Sequence, residues 1–410
     1  MARAAFTTLG CKVNQYETQR ILDSFEEAGF QIVSFQEVAD VYVLNTCSVT
    51  AVAESKSRYA IRRANRLNPA AKVVVTGCAA QMALNKGEPL EAADLVVPNP
   101  QKLQTLDHFR MKFPKLIPSV PAAARSAAGP TGRTRAVLKI QDGCNVLCSY
   151  CSIPYTRPGL VSRPADEVLR EASLLMDKGY KELVLTGVLI GAYGPETGSG
   201  GPGFEDLVED LATRCRGEAR LRISSIEMRQ VSPRVLELIR GGLVAPHLHI
   251  PLQSGDDQTL ADMNRPYTQR EYLDLCERCY EAHPEMSLTT DIMVGFPTED
   301  EERFESTLEV VRRVRYLKVH AFRFSPRPGT PAERWGDPVT PAEKEARADR
   351  LRQEAAKAGH GHAGRFVGRT LRVLVESKAR TDGLLEGLAD NYLSVCFPGP
   401  ASLRRQFAWV

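Results

Sequence analysis

Gly143-Cys144-Asn145-Val146-Leu147-Cys148-Ser149-Tyr150-Cys151 is a Cys-x3-Cys-x2-Cys run that follows a short apolar segment, Ala136 to Ile140, which reads as a strand. Three thiolates this close together on one loop can hold three irons of a cubane cluster, whereas the usual protein-bound cubane takes four cysteine ligands. One iron is then left open to a ligand from elsewhere. The competing interpretation is a zinc site, which ordinarily sets a Cys-x2-Cys against a second, distant Cys or His pair. No such pair stands out, so the spacing favours iron.

Downstream, strand-like runs alternate with helical patterns. The strands are Glu182 to Leu185, Leu221 to Ser225, His247 to Leu252, Leu288 to Val294 and Val319 to Phe324, and the helices include Pro164 to Lys178, Phe204 to Arg216, Thr268 to Ala282 and Glu299 to Val314. With Ala136 to Ile140 they make six β-α units, which argues for a parallel, partial (β/α)6 barrel whose site residues come from the carboxyl ends of its strands. Short motifs fall at those ends: Thr186-Gly187, Ser224-Ser225-Ile226-Glu227, Leu252-Gln253-Ser254-Gly255 and Gly295-Phe296-Pro297. Each alone reads as a turn. Together they read as the rim of one pocket.

Upstream, one pattern occurs three times. The apolar run Ala4 to Leu9 ends in Gly10-Cys11, Val41 to Leu44 ends in Asn45-Thr46-Cys47, and Val73 to Val75 ends in Thr76-Gly77-Cys78. Near-continuous apolar runs are expected of buried parallel strands. A helix is expected from Asn14, capped there with Glu17 reaching back, to about Gly29, and a second from about Ala51 to Leu67. In an open parallel α/β sheet, sites gather beyond the carboxyl ends of the strands, so Cys11, Cys47 and Cys78 are expected to converge. The alternative is three buried structural cysteines, a common fate of the free thiol.

The chain has 410 residues, 43% hydrophobic and 25% charged, with a net charge of +3. That length accommodates two or three domains, each with its own core. The charge permits a polyanionic partner without requiring one. No apolar run approaches the ~20 residues of a membrane span, and the start MARAAFTTLG lacks a signal-peptide pattern, so a cytoplasmic protein is expected. In that compartment the ten cysteines are read as ligands or buried thiols, not disulfides. The expected domains are residues 1–111 (a parallel α/β sheet), 135–364 (the barrel) and 365–410 (a small β domain), with a proline-rich linker at 112–134. In the last domain, strands are expected at Thr370 to Glu376, Leu384 to Leu388, Tyr392 to Phe397 and Gln406 to Val410. Arg365, Arg369, Arg372, Lys378, Arg380, Arg404 and Arg405, with Phe366, Tyr392 and Phe397, suit nucleic acid or an ordinary solvated face.

With these residues assembled, the chain resembles the methylthiotransferase family of radical S-adenosylmethionine enzymes over essentially its whole length. The matching stretches are Thr8 to Glu17, Asn45-Thr46-Cys47, Thr76-Gly77-Cys78, the Cys144 to Cys151 run, Leu252 to Gly255 and Asp291 to Pro297. Around Cys11, Lys12-Val13-Asn14-Gln15 is similar to the branch acting on tRNA threonylcarbamoyladenosine. The isopentenyladenosine branch typically has Gly-Cys-Gln-Met-Asn there, and the ribosomal-protein aspartate branch Gly-Cys-Pro-Lys-Asn. The resemblance implies two [4Fe-4S] clusters, an auxiliary one on Cys11, Cys47 and Cys78 and a radical one on Cys144, Cys148 and Cys151. It implies an S-adenosyl-L-methionine pocket for which Tyr150, Thr186, Gly187, Ser225, Glu227, Gln253 and Asp291 are the expected contacts. It also implies a short terminal TRAM-like β-barrel, a tRNA anticodon stem-loop as partner, an electron donor such as flavodoxin or ferredoxin, and a sulfur source left unspecified.

Replacing an aromatic C–H by C–S is beyond any side-chain base, so the cofactors carry the chemistry and no catalytic side chain beyond the cluster ligands is expected. The resemblance implies that one S-adenosylmethionine methylates a sulfur on the auxiliary cluster while a second yields the radical that takes hydrogen from adenine C2. Three features depart from the family pattern: Pro158 stands before Gly159, Met228 follows Glu227, and the chain stops at Trp409-Val410, exposing a sheet edge. Cys215, Cys276, Cys279 and Cys396 read as core or β residues, and His249 as either a rim or a packed histidine. The alternatives are a methylthiotransferase acting on isopentenyladenosine tRNA or a ribosomal-protein aspartate, and a non-catalytic iron-sulfur protein that binds RNA or carries electrons.

Overall fold

The computed structural model describes residues 2–88, 90–119, 133–194, 201–377 and 380–410; most of the expected linker, and Lys378, lie outside them. The chain forms two compact units, one comprising Met1–Ala128, Gly143–Val146 and Cys151–Gly159, the other Gly129–Asp142, Leu147–Tyr150 and Leu160–Val410.

In the first unit, β1 (Arg3–Thr8), β2 (Gln31–Val33), β3 (Val41–Thr46), β4 (Lys72–Gly77) and β5 (Leu95–Val96) form a parallel sheet ordered β2-β1-β3-β4-β5. All six residues of the central β3 are buried, as parallel strands covered on both faces require. The period-two alternation divides the core: Val41, Val43 and Val74 pack with Ile21, Phe25 and Phe109 on one face, while Tyr42, Leu44, Val73 and Val75 pack with Ile61 and Ala64 on the other. Helix Ala51–Leu67 is capped by Thr50, whose side chain accepts from the Ala53 N–H at 3.1 Å.

The first helix, Lys12–Glu27, departs from expectation at its start. Its N-cap is Cys11, and no side chain caps it. Asn14 lies inside the helix and is buried, donating through Nδ2 to the carbonyls of Leu9 (2.8 Å) and Thr46 (3.0 Å). Glu17 does not reach back to a cap. It is fully buried and accepts from Lys102 and Arg157. Satisfying buried carbonyls and a buried carboxylate outweighs a solvent-exposed cap.

The second unit adds β6 (Ala136–Lys139), β7 (Gln141–Asp142), β8 (Val161–Ser162), β9 (Glu182–Thr186), β10 (Arg220–Ile223), β11 (His247–His249), β12 (Ser287–Val294) and β13 (Lys318–Arg323). The parallel triplets β6-β9-β10 and β11-β12-β13 are joined by a parallel bridge between Ser225 and His249, giving the strand sequence of the expected six β-α units. Leu183, Leu185, Leu221, Ile223, Leu248, Leu288 and Ile292 form one core with the apolar sides of helices Phe204–Cys215, Gln269–Ala282 and Glu301–Val314. Two helices not anticipated, Pro233–Arg240 and Asp257–Asp262, fill connections between strands. Cys215, Cys276 and Cys279 are buried in this core, and Cys396 is exposed. Among the described residues no helix is long and apolar enough to cross a membrane.

After helix Pro341–Gly364, β14 (Arg372–Val375), β15 (Leu385–Ala389), β16 (Ser394–Phe397) and β17 (Phe407–Trp409) form an antiparallel sheet ordered β16-β15-β14-β17. Its anchor is electrostatic. Glu182, fully buried at the start of β9, accepts from Arg220 (Nε, 3.0 Å) and Arg222 (Nε, 2.7 Å) of β10. Arg220 Nη1 goes on to the Asp390 carboxylate at 2.6 Å, Arg222 Nη1 to the Asp390 carbonyl at 3.0 Å, and Arg372 Nε to Asp390 at 2.9 Å. Tyr392 stacks on His247 with ring centroids 4.1 Å apart and lies under the Arg222 guanidinium. Arg372 is therefore held within the fold by Asp390 and the Phe407 ring.

Burial by itself would raise the Glu182 carboxyl, but Arg222, Arg220 and Arg135 outweigh it and hold it down to about 2. An unfolded glutamate titrates near ~4.3, so the pairing contributes its full stability above about pH 5 and loses it as pH falls toward 2. Glu182→Gln leaves two buried guanidiniums without their carboxylate and is expected to cost ~3–5 kcal/mol at pH 7. Urea denaturation should show this deficit, and the gap from the parent should narrow as pH is lowered from 5 to 3.

Candidate functional site

Strand register brings the first three cysteines to one edge of the sheet. Thr8 pairs with Asn45 and Thr46 with Gly77, so Cys47 and Cys78 each emerge one residue beyond a paired position, and Cys11 three residues beyond β1. Gly10 and Gly77 both have φ near +98°, which glycine alone adopts without strain. A Cβ on Gly10 would stand 2.8 Å from both Cβ and Sγ of Cys47, so the backbone beside Cys11 lies directly against the second thiol. Burial pushes the Cys47 thiol up to about 11, a backbone hydrogen bond at Val49 pulls it down, neighbouring Cys78 and Cys11 push it further up, and Arg157 opposes them. Three neighbouring thiols with a guanidinium nearby suit a cationic iron centre, which would bind them as thiolates.

That guanidinium belongs to a buried ionic group. Arg157 donates to both oxygens of Glu17 (3.0 and 2.9 Å) and to Asn14 Oδ1 (2.8 Å), while Lys102 Nζ reaches Glu17 at 2.7 Å. Burial lowers the Lys102 ammonium, and the Glu17 charge pulls the other way. Asn99 Nδ2 lies 3.7 Å from the Cys78 sulfur and also donates to the Thr156 carbonyl at 2.8 Å. Asn14, Glu17, Asn99, Lys102 and Arg157 thus surround the thiols. Asn14 and Glu17 lie inside the resemblance motif; Lys102 and Arg157 give no local sign of their role.

The later cysteines are also met by donors. The Val146 N–H approaches Cys144 Sγ and the Ile153 N–H approaches Cys151 Sγ, each at 3.5 Å. Cys148 is buried and accepts from Arg265 Nη1 at 3.2 Å. Arg265, buried itself, also pairs with the Glu227 carboxylate and donates to the Tyr267 hydroxyl at 3.0 Å. Donors aimed at sulfur favour the thiolate and suit a loop built to ligate iron. Arg265 was missed from sequence, although Asn264-Arg265-Pro266-Tyr267 closes the helix that follows the Gln253 motif.

The strand-end residues fall into four groups. Ser225 bridges His249, and Gln253, at φ +68°, bridges Ile292 by donating its N–H to the Asp291 carbonyl (2.9 Å) and accepting from the Met293 N–H (2.9 Å). The Asp291 carboxylate faces His249 Nε2 at 3.3 Å. Glu227 stands with Arg265 and Cys148. Tyr150 meets the edge of Phe296, centroids 6.4 Å apart, in a cluster with Met263 and Phe324. Thr186 accepts from the Ile140 N–H and takes the Ser224 hydroxyl at 3.4 Å, while Gly187 abuts Gln141, whose Oε1 would be 3.1 Å from an added Cβ. A carboxylate, a guanidinium, an aromatic face and a close backbone approach offer complements to the ammonium, carboxylate and adenine of an adenosylated amino acid.

A family model described as Uncharacterized protein family UPF0004 matches residues 3–97, and the Radical SAM superfamily model matches residues 138–311. The chain is 38% identical to the threonylcarbamoyladenosine tRNA methylthiotransferase MtaB of Bacillus subtilis, over 97% of this chain and 91% of that protein. It is 34% identical to the Thermotoga maritima protein of the same name, over 97% and 92%. A tRNA-2-methylthio-N(6)-dimethylallyladenosine synthase of Jannaschia sp. is 33% identical over 98% and 90%. Among solved structures, the radical S-adenosylmethionine methyltransferase TsrM from Kitasatospora setae shares the fold at a TM-score of 0.55, with 14% identity over 81% of this chain and 77% of that one. Near-full-length identity at this level makes the chain a member of the methylthiotransferase family of radical S-adenosylmethionine enzymes.

Proposed function

We propose that this enzyme is a tRNA methylthiotransferase that converts N6-threonylcarbamoyladenosine, 3' of the anticodon, to its 2-methylthio derivative. The carrying observation is the convergence of Cys11, Cys47 and Cys78 beyond three neighbouring strands, with Lys12-Val13-Asn14-Gln15 opening the helix between the first two. The 38% identity to the Bacillus subtilis protein named for threonylcarbamoyladenosine, against 33–34% to relatives named for dimethylallyladenosine, supports that substrate.

In this assignment Cys11, Cys47 and Cys78 hold the auxiliary [4Fe-4S] cluster and Cys144, Cys148 and Cys151 the radical one. Bound there, the clusters and S-adenosylmethionine supply the reductive cleavage and the methylated sulfur that no side chain provides. Arg265 positions Glu227 and donates to Cys148, so one guanidinium sets both a sulfur ligand and the carboxylate that takes the ammonium of S-adenosylmethionine. Tyr150 would face its adenine, Thr186, Gly187, Ser225 and Gln253 would line the remainder of the pocket, and Asp291 would stand at its border. Arg157 and Lys102 balance the charge around the auxiliary thiolates through Glu17. Three domains carry these roles, residues 1–111, 135–364 and 365–410, the last a TRAM-like β domain. The enzyme works in the cytoplasm on the anticodon stem-loop, with flavodoxin or ferredoxin as electron donor.

Phosphate contact belongs less to the terminal domain than its arginine count implies. Arg372 is paired with Asp390, Arg380 with Asp382 and Glu386, and Arg369 with Glu285. Helix Ala51–Leu67 has five basic residues against the single acid Glu54, and among the described residues Lys56, Arg62 and Arg63 make no ion pair. Tyr59 is 53% exposed beside them, with Arg66 over its ring. Cations without carboxylate partners and an open aromatic face suit a nucleic-acid backbone.

Three outcomes follow. Anaerobically reconstituted protein should bind about eight irons and the Cys144, Cys148 and Cys151 triple alanine variant about four; full iron in that variant refutes the ligand assignment. In nucleoside mass spectrometry, tRNA carrying threonylcarbamoyladenosine should gain the 2-methylthio mark, and a mark on isopentenyladenosine or on a ribosomal protein instead overturns the substrate. Replacing Lys56, Arg62 and Arg63 with Ala should weaken tRNA binding, lowering the magnitude of the salt slope of log K by roughly 0.7–0.9 per lost phosphate contact with iron content retained; an unchanged slope moves the contact elsewhere.

A further inference from the structure

β11 and β12 pack Leu248, Leu288 and Ile292 into the core, and their other face, with the facing positions of β13, carries polar side chains. His249, Asp291 and His320 come from these three neighbouring strands, and one ligand atom from each lies within 4.8 Å of the others. Register explains the meeting. Asp291 pairs with His320 across β12 and β13, and His249 pairs with Thr289, two residues before Asp291 and so on the same face. His249 Nδ1 is 3.0 Å from the Thr289 hydroxyl, its Nε2 faces Asp291 Oδ2 at 3.3 Å, and its ring is 5.8 Å from that of His320. The side chains of His249 and Asp291 remain 16% and 28% exposed, so the trio is fixed yet open to a ligand. It adjoins Ser225, through the bridge to His249, and Gln253, through the Asp291 carbonyl.

We propose that His249, Asp291 and His320 form the subsite for the polar N6 substituent of the substrate nucleoside. This rests on the function proposed above and goes beyond it, because it names the groups that choose between substrates. A threonylcarbamoyl group presents a carboxylate, a hydroxyl and urea N–H donors. His320 can donate to the carboxylate, and Asp291, oriented by His249, can accept from the hydroxyl or the urea through its other oxygen. An isopentenyl group offers only C–H. Seating it here would take water from three polar side chains and return no hydrogen bond, which disfavours the apolar substrate. Sites built around hydrogen bonds discriminate strongly against analogues that lack them. The same trio is also a donor set for a divalent cation, but His249 Nε2 and Asp291 already face one another, and the substrate class supplies an occupant whose groups complement His320 and Asp291.

The test uses reconstituted holoenzyme with anticodon stem-loop RNAs carrying threonylcarbamoyladenosine, isopentenyladenosine or unmodified adenosine. The parent should bind and convert the first at least tenfold better than the second. In His320→Leu that preference should collapse to near unity, with affinity for the unmodified stem-loop and iron content retained, and His320→Gln, which keeps a donor, should recover part of it. A His320→Leu enzyme that keeps the parent's preference places the subsite elsewhere. A parent without the preference defeats the proposed substrate, and this inference with it. One equivalent of zinc in the parent, lost in His320→Leu without loss of discrimination, makes the trio a metal site instead.

Discussion

A carboxylate cannot be carried into a protein interior alone, and this fold buries Glu17 and Glu182 completely. Each costs several kcal/mol to desolvate and is tolerated only when opposite charge arrives in good geometry. Glu17 obtains Lys102 and Arg157 from 85 and 140 residues away, and Glu182 obtains Arg220 and Arg222 from the next strand. The geometry is therefore restrictive. The segment after Cys151 must bring Arg157 to the first helix, and β10 must pair with β9 in the observed register. Asp390 and Tyr392 then complete the coordination of Arg220 and Arg222, which ties the terminal sheet to the polar end of the strands.

The same economy of charge shapes the thiols. A parallel sheet ends each strand in a loop whose backbone groups point outward, and Gly10 and Gly77 let the chain turn there with the left-handed φ that brings it against Cys47 and Thr46. Burial holds the Cys47 thiol up, and the neighbouring Cys78 and Cys11 add to that. Peptide N–H groups at Cys144 and Cys151, an amide at Cys78 and a guanidinium at Cys148 favour the charged form of their own sulfurs. Every one of these donors favours the ionised sulfur that iron needs.

What was legible in the sequence was what local pattern determines. The apolar runs of β1, β3 and β4 and the barrel strands stand where their hydrophobicity put them, and strand-end position brought Cys11, Cys47 and Cys78 together. Local pattern also misled. Asn14 and Glu17 have the spacing of a capping box, yet burial gives both of them long-range partners. The basic terminal segment looked free, but Arg372 is held by Asp390, eighteen residues on. Arg265, and the meeting of His249 with His320, depend on which strands become neighbours and in what register. No window of sequence contains that information.

The two Cys-x2-Cys spacings in this chain show how little spacing alone determines. Cys148 and Cys151 lie on an irregular loop, where sulfur meets guanidinium and peptide N–H donors. Cys276 and Cys279 have the same separation but lie inside a helix, which at 3.6 residues per turn points both into one face. That face is the barrel core. Burial drives both thiols up, Cys279 to about 12, and holds them in the neutral form that packs as a small hydrophobe. Backbone conformation, by deciding whether N–H groups are spent on helical carbonyls or left to face sulfur, separates the proposed ligands Cys148 and Cys151 from the core residues Cys276 and Cys279.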